Sequence, residues 1–223
     1  MKDLVRGFLA QALATADTNF RSILSNAYKL CFWMMAHLLF DHELFEAIRL
    51  ECDQVRPTEL SGLETRLEKC PRLMALYYEV LRLTTSSTSI RTVEAPTPLG
   101  RYTLPSGAKI LLPLRQLHFD KKVFGENAHS FDAERFLRNP SLSSSPSFRP
   151  FGGGTTYCPG RYVARYEVLA FIALAISRFE LCLSSSKEQQ ALFPKIDTKK
   201  PTLGMMMPVA EQDLWVHAHE RGA

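Results

Sequence analysis

At 223 residues, with 46% hydrophobic and 22% charged side chains, the chain has an ordinary globular composition and can bury one sizeable core or two small ones. A formal net charge of +4, from basic residues spread along the sequence, reads as solvated surface and argues against a nucleic-acid footprint. The five cysteines (Cys31, Cys52, Cys70, Cys158, Cys182) are widely spaced with no Cys-x-x-Cys pair, which argues against a zinc site or a disulfide framework and fits a reducing compartment.

The first residues, Met1-Lys-Asp-Leu-Val-Arg, lack the basic, apolar, small-residue order of a signal peptide. Asp17 and Thr18 offer an N-cap, and nothing helix-breaking interrupts the run to Phe40, so one long helix is predicted there. Its most apolar part, Leu30–Phe40, is about 11 residues and carries His37, too short to span a bilayer comfortably. Asp41-His42 breaks it, and Glu43–Val55 reads as a shorter amphipathic helix. Pro57–Gly62 is a connector, Leu63–Lys69 a helix, and Pro71 opens another that reaches Leu83. Thr84–Leu112 is rich in Thr, Ser and Val with Pro96, Pro98, Gly100, Pro105 and Gly107, the signature of short strands and turns. His118–Phe136 mixes helix and loop, and Asn139–Ser147 is a Ser/Pro-rich excursion. Tyr162–Phe179 is a long apolar helix, Lys187–Lys200 a polar loop, and Pro201–His217 suggests a hairpin around Gly204. No linker divides the chain, so residues 1–223 are read as one unit.

The run Phe151-Gly-Gly-Gly154-Thr-Thr-Tyr-Cys158-Pro-Gly160 carries the most information. Three glycines free the backbone to turn, and Gly160 opens the helix that follows. A cysteine just ahead of a helix start has its thiolate favoured by the helix dipole. A Gly-Gly-Gly loop with an inert cysteine is the bland reading. The fuller spacing Phe-x-x-Gly-x-x-x-Cys-x-Gly, with Ala164 four residues on, is more restrictive and resembles the heme-binding loop of the cytochrome P450 family, the heme-thiolate monooxygenases. The resemblance implies heme b with Cys158 as proximal iron ligand, and Phe151, Gly154, Thr156 and Gly160 against the cofactor.

Other segments resemble the same family. Glu79 and Arg82 share a helix face among Tyr77, Tyr78, Val80, Leu81 and Leu83, and Arg135 stands in Phe131-Asp-Ala-Glu-Arg-Phe136. An exposed pair is worth little, but a buried one needs a third member, which the family's Glu-x-x-Arg helix finds in such an Arg; its role is structural. Arg91, ahead of Gly100-Arg-Tyr-Thr-Leu-Pro105-Ser-Gly107, is similar to the family's propionate-binding arginine, and His118 to a heme-region histidine. Two departures stand out. Thr156 replaces the usual Arg or His two residues before the cysteine, leaving one neutral donor. Counting back from Phe32-Trp33, the family's acid–alcohol pair for proton delivery falls on Ser25 and Asn26, as in a minority that includes sterol hydroxylases and prostacyclin synthase. An amide is a poor proton donor.

The resemblance covers roughly Asp17–Val209 and matches only the family's C-terminal half, so the expected fold is mainly α with small β-hairpins, a long central helix, the ligand loop and its following helix. It implies oxidation of a lipophilic small molecule with O2, with NADPH electrons delivered through a flavoprotein reductase docking near Arg149, Arg161 and Arg165. The Ser-rich insert is similar to fungal secondary-metabolism members. Substrate contacts are expected at Ser22 and Asn26, Thr84–Ser89 and Gly204–Met207, where three methionines form either a soft apolar wall or a core-facing turn. A heme-thiolate isomerase rearranging a peroxide and a non-catalytic heme-binding remnant are the alternatives. A missing N-terminal half is a further expected partner, and a full-length form is expected at the endoplasmic reticulum membrane.

Overall fold

A computed structural model describes residues 18–184 other than 58 and 60, and residues 191–222 other than 201 and 203; the side chains of residues 18–25 and 156 fall outside the description. The long central helix, α1 (Thr18–Phe40), forms as expected, while its proposed cap Asp17 lies outside the described residues. Asp41 ends α1 and starts α2 (His42–Gln54): its backbone is extended, and its carboxylate accepts the Leu44 N–H at 3.0 Å. After α3 (Leu63–Leu67), Pro71 occupies the first turn of α4 (Pro71–Thr84), where its missing N–H costs nothing. The Glu51 carboxylate, reaching over from α2, accepts the Arg72 and Leu73 N–H groups and caps α4 across the fold.

The Thr/Val/Gly/Pro stretch makes four short strands: β1 (Thr88–Thr92), β2 (Thr97–Leu99), β3 (Tyr102–Leu104) and β4 (Lys109–Pro113). β1 pairs antiparallel with β4, Arg91 opposite Ile110, and β2 with β3. Short helices α5 (Leu114–Leu117), α6 (Lys121–Phe124) and α7 (Arg135–Arg138) follow, then two 3₁₀ turns, Pro140–Ser144 and Gly154–Thr156. The last long helix, α8 (Arg161–Arg178), runs directly into β5 (Phe179–Leu183), which pairs with β6 (Val216–Glu220). The architecture is helical with small antiparallel sheets, as the sequence implied.

α1 packs on α8 and α4, and α2 packs on α8, so Trp33, Met34, Ile48, Leu76, Val80, Leu169 and Ile172 share a buried core. Among the described residues no helix is long and apolar enough to cross a membrane. The region after Gly204 differs from the expected tight hairpin. Residues 195–197 and 207–209 face each other through Asp197 N–H to Met207 O and Val209 N–H to Lys195 O, both 2.8 Å, with one bridge, Ile196 to Pro208. The turn between them is drawn instead onto α4, where Met206 N–H donates to Thr84 O and Ser86 N–H to Gly204 O.

Candidate functional site

The Cys158 loop is a wound segment placed at the start of α8. Gly152 and Gly154 adopt φ of +80° and +70°, which side-chain-bearing residues avoid, and a Cβ at either would meet nothing within 4 Å. The loop folds back on itself through Cys158 N–H to Phe151 O at 3.1 Å. Gly160 caps α8 and its carbonyl accepts the Ala164 N–H, closing the first turn. Cys158 is exposed, whereas Cys52 and Cys70 are buried. Arg161 holds the segment from behind: its guanidinium donates to Cys158 O at 2.8 Å and lies over the rings of Tyr157 and Tyr162. Thr156 lies on the 3₁₀ turn and Ser25 on α1, but both side chains are outside the described ones.

The charged cluster is buried in the fold. Glu79 and Arg82 are 0% exposed and Arg135 is 5% exposed. Glu79 accepts from Arg82 Nε and Nη2, both at 2.8 Å, from Arg135 Nε at 3.2 Å, and from the Asp132 N–H at 3.0 Å. The other Arg82 protons go to the carbonyls of His118, Ala128 and Ser130. Every guanidinium proton of Arg82 therefore has an acceptor, the condition under which a buried ion pair is tolerable.

His118 connects this cluster to the loop. The Arg149 N–H donates to His118 Nε2 at 2.9 Å, so Nδ1 must carry the proton, and it lies 3.0 Å from Arg82 O. The ring is thus neutral, and burial pushes its pKa down to about 4. Arg149 leads directly into Pro150 and Phe151, so a strut runs from α4 through an imidazole to the glycine loop. A buried histidine flanked by two cationic residues was legible only as a family position; its bridging role is a contact across 31 residues.

Asn26 sits on α1 with its amide oxygen accepting the Met205 N–H at 3.0 Å. Two turns further along α1, Trp33 Nε1 donates to Met206 O at 2.8 Å. Gly204 approaches so closely that a Cβ there would stand 2.4 Å from Asn26 Oδ1. Of the segments expected to meet a substrate, Asn26 and the first residues of Thr84–Ser89 both contact Gly204–Met207. Met205 and Met206 are buried, and Met207 is exposed. Arg91 lies exposed on β1 with Nη1 donating to Ile90 O at 2.8 Å. Of the arginines near the loop, Arg165 pairs with Glu68, and Arg149 donates to Pro146 O.

These residues fit a planar, metal-bearing cofactor. Among the described residues no three His, Cys, Asp or Glu side chains are placed to hold a metal ion. A metal on the Cys158 sulfur would need its remaining donors from a cofactor. The open space beside Gly152 and Gly154 lets a flat group approach the backbone.

A sequence model of the cytochrome P450 family matches residues 30–208. The cytochrome P450 monooxygenase poxD of Penicillium oxalicum is 27% identical over 87% of this chain and 42% of its own length. The cytochrome P450 monooxygenase calL of Penicillium decumbens is 33% identical over 70% of this chain and 32% of its own. A steroid 17-alpha-hydroxylase/17,20 lyase of Squalus acanthias is 31% identical over 66% and 30% respectively. The chain thus spans less than half the length of these relatives.

Proposed function

The chain belongs to the cytochrome P450 family, and from that premise we propose that it is the heme-binding part of a monooxygenase that oxidises a lipophilic small molecule. The observation that carries this reading is the exposed Cys158 thiol, presented ahead of α8 by a loop with two glycines at positive φ. When bound, heme b supplies dioxygen activation. Cys158 would hold the iron as thiolate. Phe151, Gly154, Thr156 and Gly160 would lie against the cofactor, and Arg91 would hold a propionate through its guanidinium fork. The Glu79–Arg82–Arg135 cluster and His118 position the loop and touch no reacting atom. Asn26 and the segment around Met205 would line the substrate side, with Ser25 and Asn26 at the oxygen side.

Electrons would come from NADPH through a flavoprotein reductase on the face bearing Arg149 and Arg161. The likeness to monooxygenases of two Penicillium species supports a role in fungal secondary metabolism. A second reading, heme-thiolate isomerisation of a peroxide without a reductase, is favoured by one feature: Asn26 falls where the resemblance puts the family's proton donor, and an amide is a poor one. A third reading is a heme-binding remnant without turnover. Heme titration of the chain and of Cys158→Ala tests the core of the proposal. Saturable binding with thiolate character only in the parent supports it; equal spectra in both proteins overturn it. NADPH consumption with a reductase and a lipophilic substrate then separates the first reading from the other two.

A further inference from the structure

A cleft of about 450 Å³, within the range of ligand sites, opens between the last third of α1 and the chain that follows β4. Its wall is aromatic: Trp33 and His37 from α1, Phe119 and Phe131 from the connecting loops, and Phe193 at the rim. The rings are mutually fixed. His37 stacks on Phe131 with centroids 3.6 Å apart, Phe119 stacks on His129 at 4.8 Å, and Phe193 lies 4.7 Å from His37. Among the described residues one cation enters this wall, Arg115, half-buried and lying 4.6 Å over the Phe119 ring. Its acceptor among the described residues is the Leu83 carbonyl, and no carboxylate among them pairs with it. Burial and the like charge of Arg82 both lower its pKa, the mark of a cation not compensated within the fold. Its counterparts Arg82 and Arg135 share Glu79 instead.

We propose that this cleft binds a planar aromatic monocarboxylate, its carboxylate paired with the Arg115 guanidinium and its ring laid against Phe119, Phe131 and Phe193. The single positive charge matches a monoanion, and a planar fork matches a carboxylate better than a point charge would. His37 adds no second charge, because burial pushes its pKa down to about 3. Aromatic walls favour a flat ring over a flexible chain, since ring–ring contacts add to plain area burial. The site uses none of the residues assigned to heme, so it stands or falls separately from that assignment.

The test is a fluorine NMR titration of the 223-residue chain with fluoronaphthoate and, in parallel, its neutral amide. The acid is expected to bind saturably and more tightly than the amide. Arg115→Gln should weaken the acid by about tenfold and leave the amide within about twofold; Arg115→Lys should restore part of the loss. Phe193→Ser should weaken both probes, which locates them at this rim. Circular dichroism establishes that each variant is folded, and Cys158→Ala should leave both titrations unchanged. Equal binding of acid and amide, an Arg115→Gln variant that binds like the parent, or no saturable binding would each overturn the proposal.

Discussion

Replacing Arg82 by lysine keeps the charge of the buried cluster and removes its geometry. Arg82 uses all five N–H donors: two on Glu79 at 2.8 Å, and three on the carbonyls of His118, Ala128 and Ser130 at 2.8, 2.6 and 3.2 Å. Lysine offers three donors from one nitrogen. Five charge-assisted hydrogen bonds become at most three, so at least two are lost at about 1.5–3 kcal/mol each, and the carboxylate loses its bidentate partner. The sum agrees with the cost of about 3–5 kcal/mol for breaking a buried ion pair. That is a large share of a total stability of about 5–15 kcal/mol. In a chain of this size, the loss corresponds to a fall in Tm of about 10 °C. The assay is urea and thermal unfolding followed by circular dichroism. The control is Lys121→Gln, whose pair with Glu126 is 54% and 88% exposed and should cost at most about 0.5 kcal/mol. If Arg82→Lys costs no more than that surface change, the buried network does not organise the 118–130 segment, and the reasoning fails.

His118 gives a pH signature. Its pKa is held down to about 4 in the folded protein against 6.5 when free, chiefly by burial and further by the nearby Arg82 and Arg115 charges. Below pH 6.5 the unfolded chain takes up the proton first, so His118's stabilisation is complete above pH 6.5 and is lost as pH falls toward 4, about 3 kcal/mol in all. Urea unfolding across that range should show the loss in the parent and a smaller slope in His118→Gln; parallel profiles would contradict the neutral-imidazole assignment. Gly204→Ala forces Asn26 off its bond to the Met205 N–H and should cost about 1–2 kcal/mol. Because both changes break the same bond, the Asn26→Ala, Gly204→Ala double variant should cost little more than either alone; simple additivity in the unfolding energies would show that the two residues do not meet.

Punctuation made much of the fold readable. Asp41 and Pro71 mark helix starts that the structure places within a residue of expectation, because capping chemistry is local. The burial of the Glu79–Arg82 pair was legible from its apolar neighbours on a shared helix face, while Arg135 as its third member came from the family resemblance. At the Cys158 loop the glycines announced a turning backbone, and two of them occupy the positive-φ region; its link to heme came from the family spacing. What was hidden joins distant residues. The Asn26–Met205 bond spans 179 positions, and no periodicity in either segment encodes it. β6 was missed because its alternating His217 and His219 both lie exposed, so the strand lacks an apolar face to announce it. The cleft was invisible for the same reason: Arg115 reads as an ordinary surface cation until α1 and Phe193 close around it.

The central claim is that the Cys158 sulfur binds heme iron. The absorption spectrum of the reduced, carbon monoxide-bound protein tests it most directly. The parent, reconstituted with heme, should show the red-shifted Soret band of a thiolate ligand, and Cys158→Ala should lose it while retaining the circular dichroism of the folded chain. A parent without that band, or a variant that keeps it, would contradict the assignment.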